Sequence, residues 1–145
     1  MTDIYVDGKA LQAFTATVFE KVGLPVEDAA IEAEVLVWAN LRGVDSHGVQ
    51  RVAGYVRSVD AGHFNPRPNI RIERETAATL LIEGDNAFGP VVTTFAMKQV
   101  IGKAREAGIG WAIIRNTTHQ GAMGYYALMA AKEGMAGIAC VAGPP

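Results

Sequence analysis

The sequence predicts an α+β/α/β chain: a helical N-terminal segment over residues 1–66, then a mixed-sheet α/β region over residues 67–145. Three observations predict it. Apolar residues recur every three or four positions through residues 8–60. The segment HFNPRPN (63–69) interrupts that pattern with two prolines and two asparagines and reads as a linker. Beyond it, apolar runs of strand length alternate with stretches of helical period.

Each element has its own signal. Asp7 is placed to cap a first helix whose stripe is Leu11, Phe14, Val18, Phe19 and Val22, with Gly23 as its stop. A second helix starts near Pro25 or Val26 and runs to about Arg42, with Ile31, Val35, Trp38 and several alanines inward. A third covers 48–60, beginning as early as Ser46 or His47, before Gly62. IRIER (70–74) alternates apolar and charged residues, as a half-exposed strand does. ATLLIEG (78–84) is a second strand, with Glu75, Thr76 and Ala77 turning between them. Residues 89–107 form a helix with Val92, Phe95, Ala96, Val100 and Ala104 inward. IGWAIIR (109–115) reads as a buried strand. A helix follows from Gly121 or Ala122, and MAGIACVAG (135–143) reads as another buried strand. A central strand running straight into GPP is expected of the N-terminal piece of something larger, or of one subunit of a split protein.

Bulk properties narrow the function classes. With 145 residues the chain is about one domain and can bury a core. Half its residues are hydrophobic and 19% are charged, which excludes a disordered chain. A net charge of −2 offers no basic excess to neutralise phosphates, which argues against nucleic-acid binding. A single cysteine, Cys140, builds no disulfide framework. No signal peptide is visible, and no apolar run approaches the roughly 20 residues a membrane span needs. The reading is a cytoplasmic protein. Three scattered histidines and one cysteine lack metal-ligand spacing, so no metal is expected. No G-x-S-x-G elbow supports a hydrolase.

Two stretches carry chemistry. In VDSHGVQR (44–51), a helix begun at Ser46 or His47 would stack His47, Arg51 and Tyr55 on one ridge, four residues apart. Arg51 can grip a carboxylate with its guanidinium fork. His47 can pass a proton to a neighbouring carbonyl oxygen, and Ser46 can orient the ring or the substrate. Spacing alone is equally met by an N-cap at Asp45 or Ser46, a surface arginine and a wedged tyrosine. The second stretch, NTTHQGAMGYY (116–126), follows a strand and opens a helix, so its free N–H groups favour an anion. The dinucleotide fingerprint G-x-G-x-x-G is absent from it, and ordinary turn chemistry also accounts for it. GDNAFGP (84–90) reads as a structural Gly-rich turn that could approach a ligand.

Together these stretches resemble a known family. GLPVEDA, ANLRGVDSHGVQR with GYV after it, GDNAFGP, RNTTHQGAMGYYALMAAKEGMAGIA and the closing GPP are similar, in order and spacing, to the N-terminal part of the malate/L-lactate dehydrogenase family. That family includes sulfolactate and ureidoglycolate dehydrogenases and cyclic imino-acid reductases. The resemblance implies a non-Rossmann dehydrogenase fold, here truncated or split. It implies hydride transfer between NAD or NADP and C2 of a small 2-hydroxy or 2-oxo acid. His47 would then be the proton donor and acceptor, Ser46 its orienting neighbour, Arg51 the carboxylate anchor, and Tyr55 a residue at or beside the substrate. His119, Gln120, Gly121, Ala122 and Met123 would border the cofactor. The implied partners are a small carboxylate substrate and either a second copy, as a homodimer, or a complementary C-terminal chain. Family chains are substantially longer, Gln120 stands where members commonly carry an aromatic residue, and VAGPP replaces a more polar end. The competing expectations are a non-catalytic fragment or assembly subunit and, within the enzyme class, a cyclic imino-acid reductase.

Overall fold

A computed structural model describes residues 5–142. Five helices and three strands follow one another as α1 (Gly8–Lys21), α2 (Val26–Asn40), α3 (Val52–Asp60), β1 (Arg71–Glu75), β2 (Thr79–Ala87), α4 (Gly89–Ala107), β3 (Trp111–Thr117) and α5 (Gly124–Lys132). The Asp7 carboxylate accepts from Ala10 N and caps α1. Pro90 sits in the first turn of α4, where its missing N–H costs nothing, and Gly108 ends that helix at φ 80°.

The sheet is mixed, in the order β1-β2-β3. β1 and β2 pair as an antiparallel hairpin, closed by Thr76 N donating to Thr79 O. β2 and β3 run parallel, and α4 crosses between them. Near its end β2 departs from regular geometry: Asp85 and Asn86 have φ of 52° and 55°, and Asn116 in β3 has φ of 49°. Asp and Asn tolerate this left-handed region better than other residues with a side chain.

Two apolar clusters form the core. One gathers Phe19, Leu24, Leu36, Tyr55, Phe88 and Val91 from α1 through α4. The other lies between the sheet and α4, with Leu80, Ile82, Val92, Ala96 and Val100. Burying each large side chain of this kind contributes about 1.5–3 kcal/mol. The 63–69 segment is packed into this arrangement: Phe64 stacks against Tyr55 and Phe88, and Asn65 donates to the Asp85 carboxylate.

The structure corrects four sequence expectations. Phe14 is 67% exposed while Thr15 is buried on the inner face of α1. The helix expected over 48–60 begins only at Val52, preceded by two 3-10 turns at Asp45–His47 and Val49–Arg51. β3 is only half-buried, and on one face; Trp111 and Ile113 are exposed on the other. The strand expected over 135–143 is absent over 135–142. The sheet ends at β3 among the described residues, and the 135–142 segment forms no ladder with that open edge. Residues 143–145, the GPP end, lie outside the described residues.

Candidate active site

The turn carrying Ser46 and His47 is shaped from below by Asn40, the last residue of α2. The Asn40 amide donates to the Asp45 carboxylate at 2.5 Å and accepts from Val49 N at 2.8 Å. It passes so close under Gly48 that a Cβ there would stand 2.2 Å from Asn40 Oδ1. Gly48 itself is extended, at φ −97° and ψ −159°. This break is why His47 does not share a helical ridge with Arg51 and Tyr55.

The expected residues meet by another route. Ser46 Oγ lies 2.9 Å from His47 Nδ1, and Arg51 Nε donates to the Ser46 carbonyl at 2.6 Å. The guanidinium therefore folds back over the Ser46–His47 turn. Its two terminal nitrogens have no partner among the described residues, and the side chain is exposed. Tyr55 is buried, with its hydroxyl 2.6 Å from His119 Nδ1. Gly121 N also donates to that nitrogen, at 3.2 Å. The His47 and His119 rings lie 5.2 Å apart, tilted by 33°. Two imidazoles, a phenol and a guanidinium thus converge from the turns before α3, from α3 itself, and from the loop after β3.

The electrostatics follow from this packing. Burial disfavours the imidazolium of His119, and the nearby charges of Arg51 and His47 disfavour it further, so its pKa lies below 6.5. With Nδ1 accepting from Tyr55 and Gly121, the remaining proton of neutral His119 sits on Nε2. Burial and the neighbouring Glu32 push the Tyr55 phenol up, so it remains a donor.

The His119 loop is pressed against the start of α4. Thr118 Oγ1 bonds both Ala87 O and Gly89 N, and a Cβ on Gly89 would stand 2.3 Å from the His119 carbonyl. The Gly-rich turn at 84–90 therefore approaches backbone. On the far side of the loop a groove of about 770 Å³ opens between α4, β3 and the 135–142 segment. Met97, Trp111, Ile113, Thr117, Gln120 and Met123 are among its walls, and no Lys, Arg or His among the described residues lines it. The buried Thr117 hydroxyl there has no partner among the described residues. A flat, largely apolar ring bearing an amide fits such walls, with Thr117 and Gln120 offering hydrogen bonds. The diphosphate of a dinucleotide finds no counter-charge in them.

Of the expected cofactor-bordering residues, His119 faces His47, Gln120 and Met123 face the groove, and Gly121 abuts Val35 of α2. Ala122 is half-buried between Gly121 and Met123. The third histidine, His63, is exposed in the loop after α3. Among the described residues no group of three or more His, Cys, Asp or Glu could hold a metal ion. Sequence reading missed Asn40 and Glu32. The unexplained glycine at 48 was the only local signal for Asn40, and Glu32 gives none.

Comparison with known proteins bears on this arrangement. The family model described as malate/L-lactate dehydrogenase matches residues 6–145. Malate dehydrogenase of Pyrococcus abyssi is 51% identical over 128 residues, which cover 88% of this chain and 35% of that protein. The solved structure of malate dehydrogenase from Pyrococcus horikoshii superposes with a TM-score of 0.89 at 50% identity, covering 90% of this chain and 38% of that one. Delta1-piperideine-2-carboxylate reductase from Pseudomonas syringae superposes with a TM-score of 0.83 at 27% identity, covering 91% and 40%. The chain spans little more than a third of the length of these relatives.

Proposed function

Since the chain belongs to the malate/L-lactate dehydrogenase family, we propose that it forms part of an oxidoreductase acting at C2 of a small 2-hydroxy or 2-oxo acid. One observation carries the reading: the Ser46–His47 turn, Arg51, Tyr55 and His119 converge although the sequence scatters them over more than 70 positions. When bound, NAD or NADP supplies or takes the hydride. The chain's own residues do the rest.

Arg51 binds the substrate carboxylate through its two terminal nitrogens, while its Nε bond to Ser46 O fixes the fork. His47 hands a proton to the C2 oxygen during reduction and takes one from the hydroxyl during oxidation. Ser46 orients the His47 ring through Nδ1. His119 stays neutral beside it and presents Nε2–H toward the same space, with Tyr55 holding its tautomer. Gln120, Gly121, Ala122 and Met123 border the nicotinamide. Residues 1–66 supply the substrate and proton groups, and 67–145 begin the nicotinamide-binding region. A second copy, or a complementary C-terminal chain, completes the site in the cytoplasm.

A second reading, reduction of a cyclic imino acid, is favoured by the superposition on the piperideine-carboxylate reductase. Such a substrate also places a carboxylate beside C2. Both readings are tested on the chain joined to the remainder of the family length. Oxidation of NADH or NADPH is followed with a 2-oxo acid and with a cyclic imine. Arg51→Ala should chiefly raise KM and His47→Ala should chiefly lower kcat. Full activity in His47→Ala removes its role. The more rapidly reduced substrate decides between the two chemistries.

A further inference from the structure

The first turn of α4 has one donor that its own segment leaves over. Val91 N and Val92 N both turn back onto Phe88 O, and Pro90 has no N–H. Gly89 N remains, and Phe88, the residue before the helix, has no side chain that can cap it. The Thr118 hydroxyl caps it instead, from 29 positions along the chain, with Gly89 N donating to Oγ1 at 3.1 Å. The same hydroxyl donates to Ala87 O at 2.9 Å, and Thr118 N donates to that carbonyl at 3.3 Å. A group that both gives and takes a hydrogen bond is needed for this joint.

Thr118 is the chain neighbour of His119, and the joint sets where that histidine stands. Gly89 offers a bare Cα to the loop: a Cβ there would lie 2.3 Å from His119 O and 2.5 Å from Gln120 Cα. The His119 backbone is thus seated on the residue that Thr118 caps. The adjoining Phe88 is buried and meets the Tyr55 ring edge-on, with centroids 6.1 Å apart. Tyr55 in turn places its hydroxyl 2.6 Å from His119 Nδ1. Two successive residues at the start of α4 therefore back both partners of that bond, Gly89 the histidine and Phe88 the phenol. A hydrogen bond weakens steeply with misalignment, so a shift of either partner breaks it.

We propose that Thr118 is a positioning residue for His119: its single hydroxyl locks the loop to the start of α4 and so keeps the imidazole in register with Tyr55. Without that hydroxyl, Gly89 N loses its partner and the loop is free to lift from α4. Water then replaces the phenol at Nδ1, and the ring samples both tautomers. Serine carries the same donor and acceptor, whereas valine has the shape of threonine and neither. A threonine that served α4 alone would lower stability when replaced and leave the ring where it is, so stability is not the readout. Any consequence for turnover rests on the function proposed above; the placement of the ring does not, and is read without activity.

The test uses the 145-residue chain with imidazole nitrogens observed by NMR, the His119 signals being assigned by their loss in His119→Gln. The wild type should show the Nε2–H tautomer with a hydrogen-bonded Nδ1 at neutral pH. Thr118→Ser should keep that signature. Thr118→Val should lose it and show both tautomers, while its backbone spectrum remains that of a folded chain. A folded Thr118→Val that keeps the signature overturns the proposal, and so does a Thr118→Ser that loses it. Where Thr118→Val does not fold, the wild type decides. Gly89 N has no other partner among the described residues, so its deuterium exchange should be slowed wherever the His119 signature is present. A Gly89 amide that exchanges at the rate of an unstructured peptide beside an intact signature overturns the proposal, because the ring is then held without the joint. Should the chain joined to the remainder of the family length act on neither a 2-oxo acid nor a cyclic imine while these readings hold, the proposed function fails and the positioning role stands.

Discussion

Gly48→Ala isolates the contact that shapes the proposed site. A Cβ at this position would stand 2.2, 2.5 and 2.6 Å from the Asn40 Oδ1, Cγ and Nδ2 atoms, so the amide must leave. Two hydrogen bonds go with it, one to the Asp45 carboxylate and one from Val49 N. At about 1 kcal/mol each the loss is about 2 kcal/mol, and a half-buried Val49 N–H left without a partner adds about 1 kcal/mol. Replacing glycine returns about 0.4–1 kcal/mol by restricting the unfolded chain. The net cost is about 2 kcal/mol, which lowers Tm by about 4–8 °C in a chain of this size. Urea unfolding of Gly48→Ala, Asn40→Ala and the double variant measures it. Removing the Asn40 amide empties the space under residue 48, so the double variant should cost little more than Asn40→Ala alone. Strictly additive losses, or a Gly48→Ala cost under about 0.5 kcal/mol, the level of an ordinary surface change, would refute the reasoning.

His119 makes a pH prediction. Its folded-state pKa lies below 6.5, so its contribution to stability is complete above 6.5 and is lost as pH falls through the lowered value. His119→Gln should flatten that slope, and an unchanged slope assigns it to another group. Glu83 has the acid counterpart. It accepts from Asp85 N, Asn116 Nδ2 and Arg115 Nε, which hold it below the ordinary carboxylate range. In Glu83→Gln, acid unfolding should lose the component that lies below 4.5, and an unaltered acid limb would contradict this. The groove carries no cationic side chain, so the chain alone should bind NADH or NADPH with a Kd of about 1 mM or weaker. Micromolar binding in a fluorescence titration would show that cationic residues outside the groove hold the phosphates.

The long periodic elements were legible because their cause is local. Asp7, the 3.6-residue stripe and Gly108 mark helix ends through the chemistry of the residues at those ends. The β1–β2 hairpin was legible for the same reason. The site was legible as residue types but not as geometry. Tyr55 meets His119 across 64 positions, and no local rule announces such a pairing. A regular helix starting at Ser46 was the economical expectation, and it failed because a side chain from the preceding helix occupies the Val49 N–H. Glu32 was invisible because an acid on an apolar stripe looks like a helix-surface residue until its neighbours are placed. The one-sided burial of β3 and the irregular 135–142 segment depend on what lies beside a strand, which a window of sequence does not contain.

The open border of β3 has a measurable signature of its own. Alternate amides of an outermost strand point toward its neighbour and away from it, so deuterium should enter β3 with a period of two residues. The inward amides, bonded to β2, should exchange with the core. The outward ones should exchange within the dead time of the measurement. Anything that lays a further strand along that border would erase the alternation, so the isotope pattern itself reports, residue by residue, when the sheet has been extended.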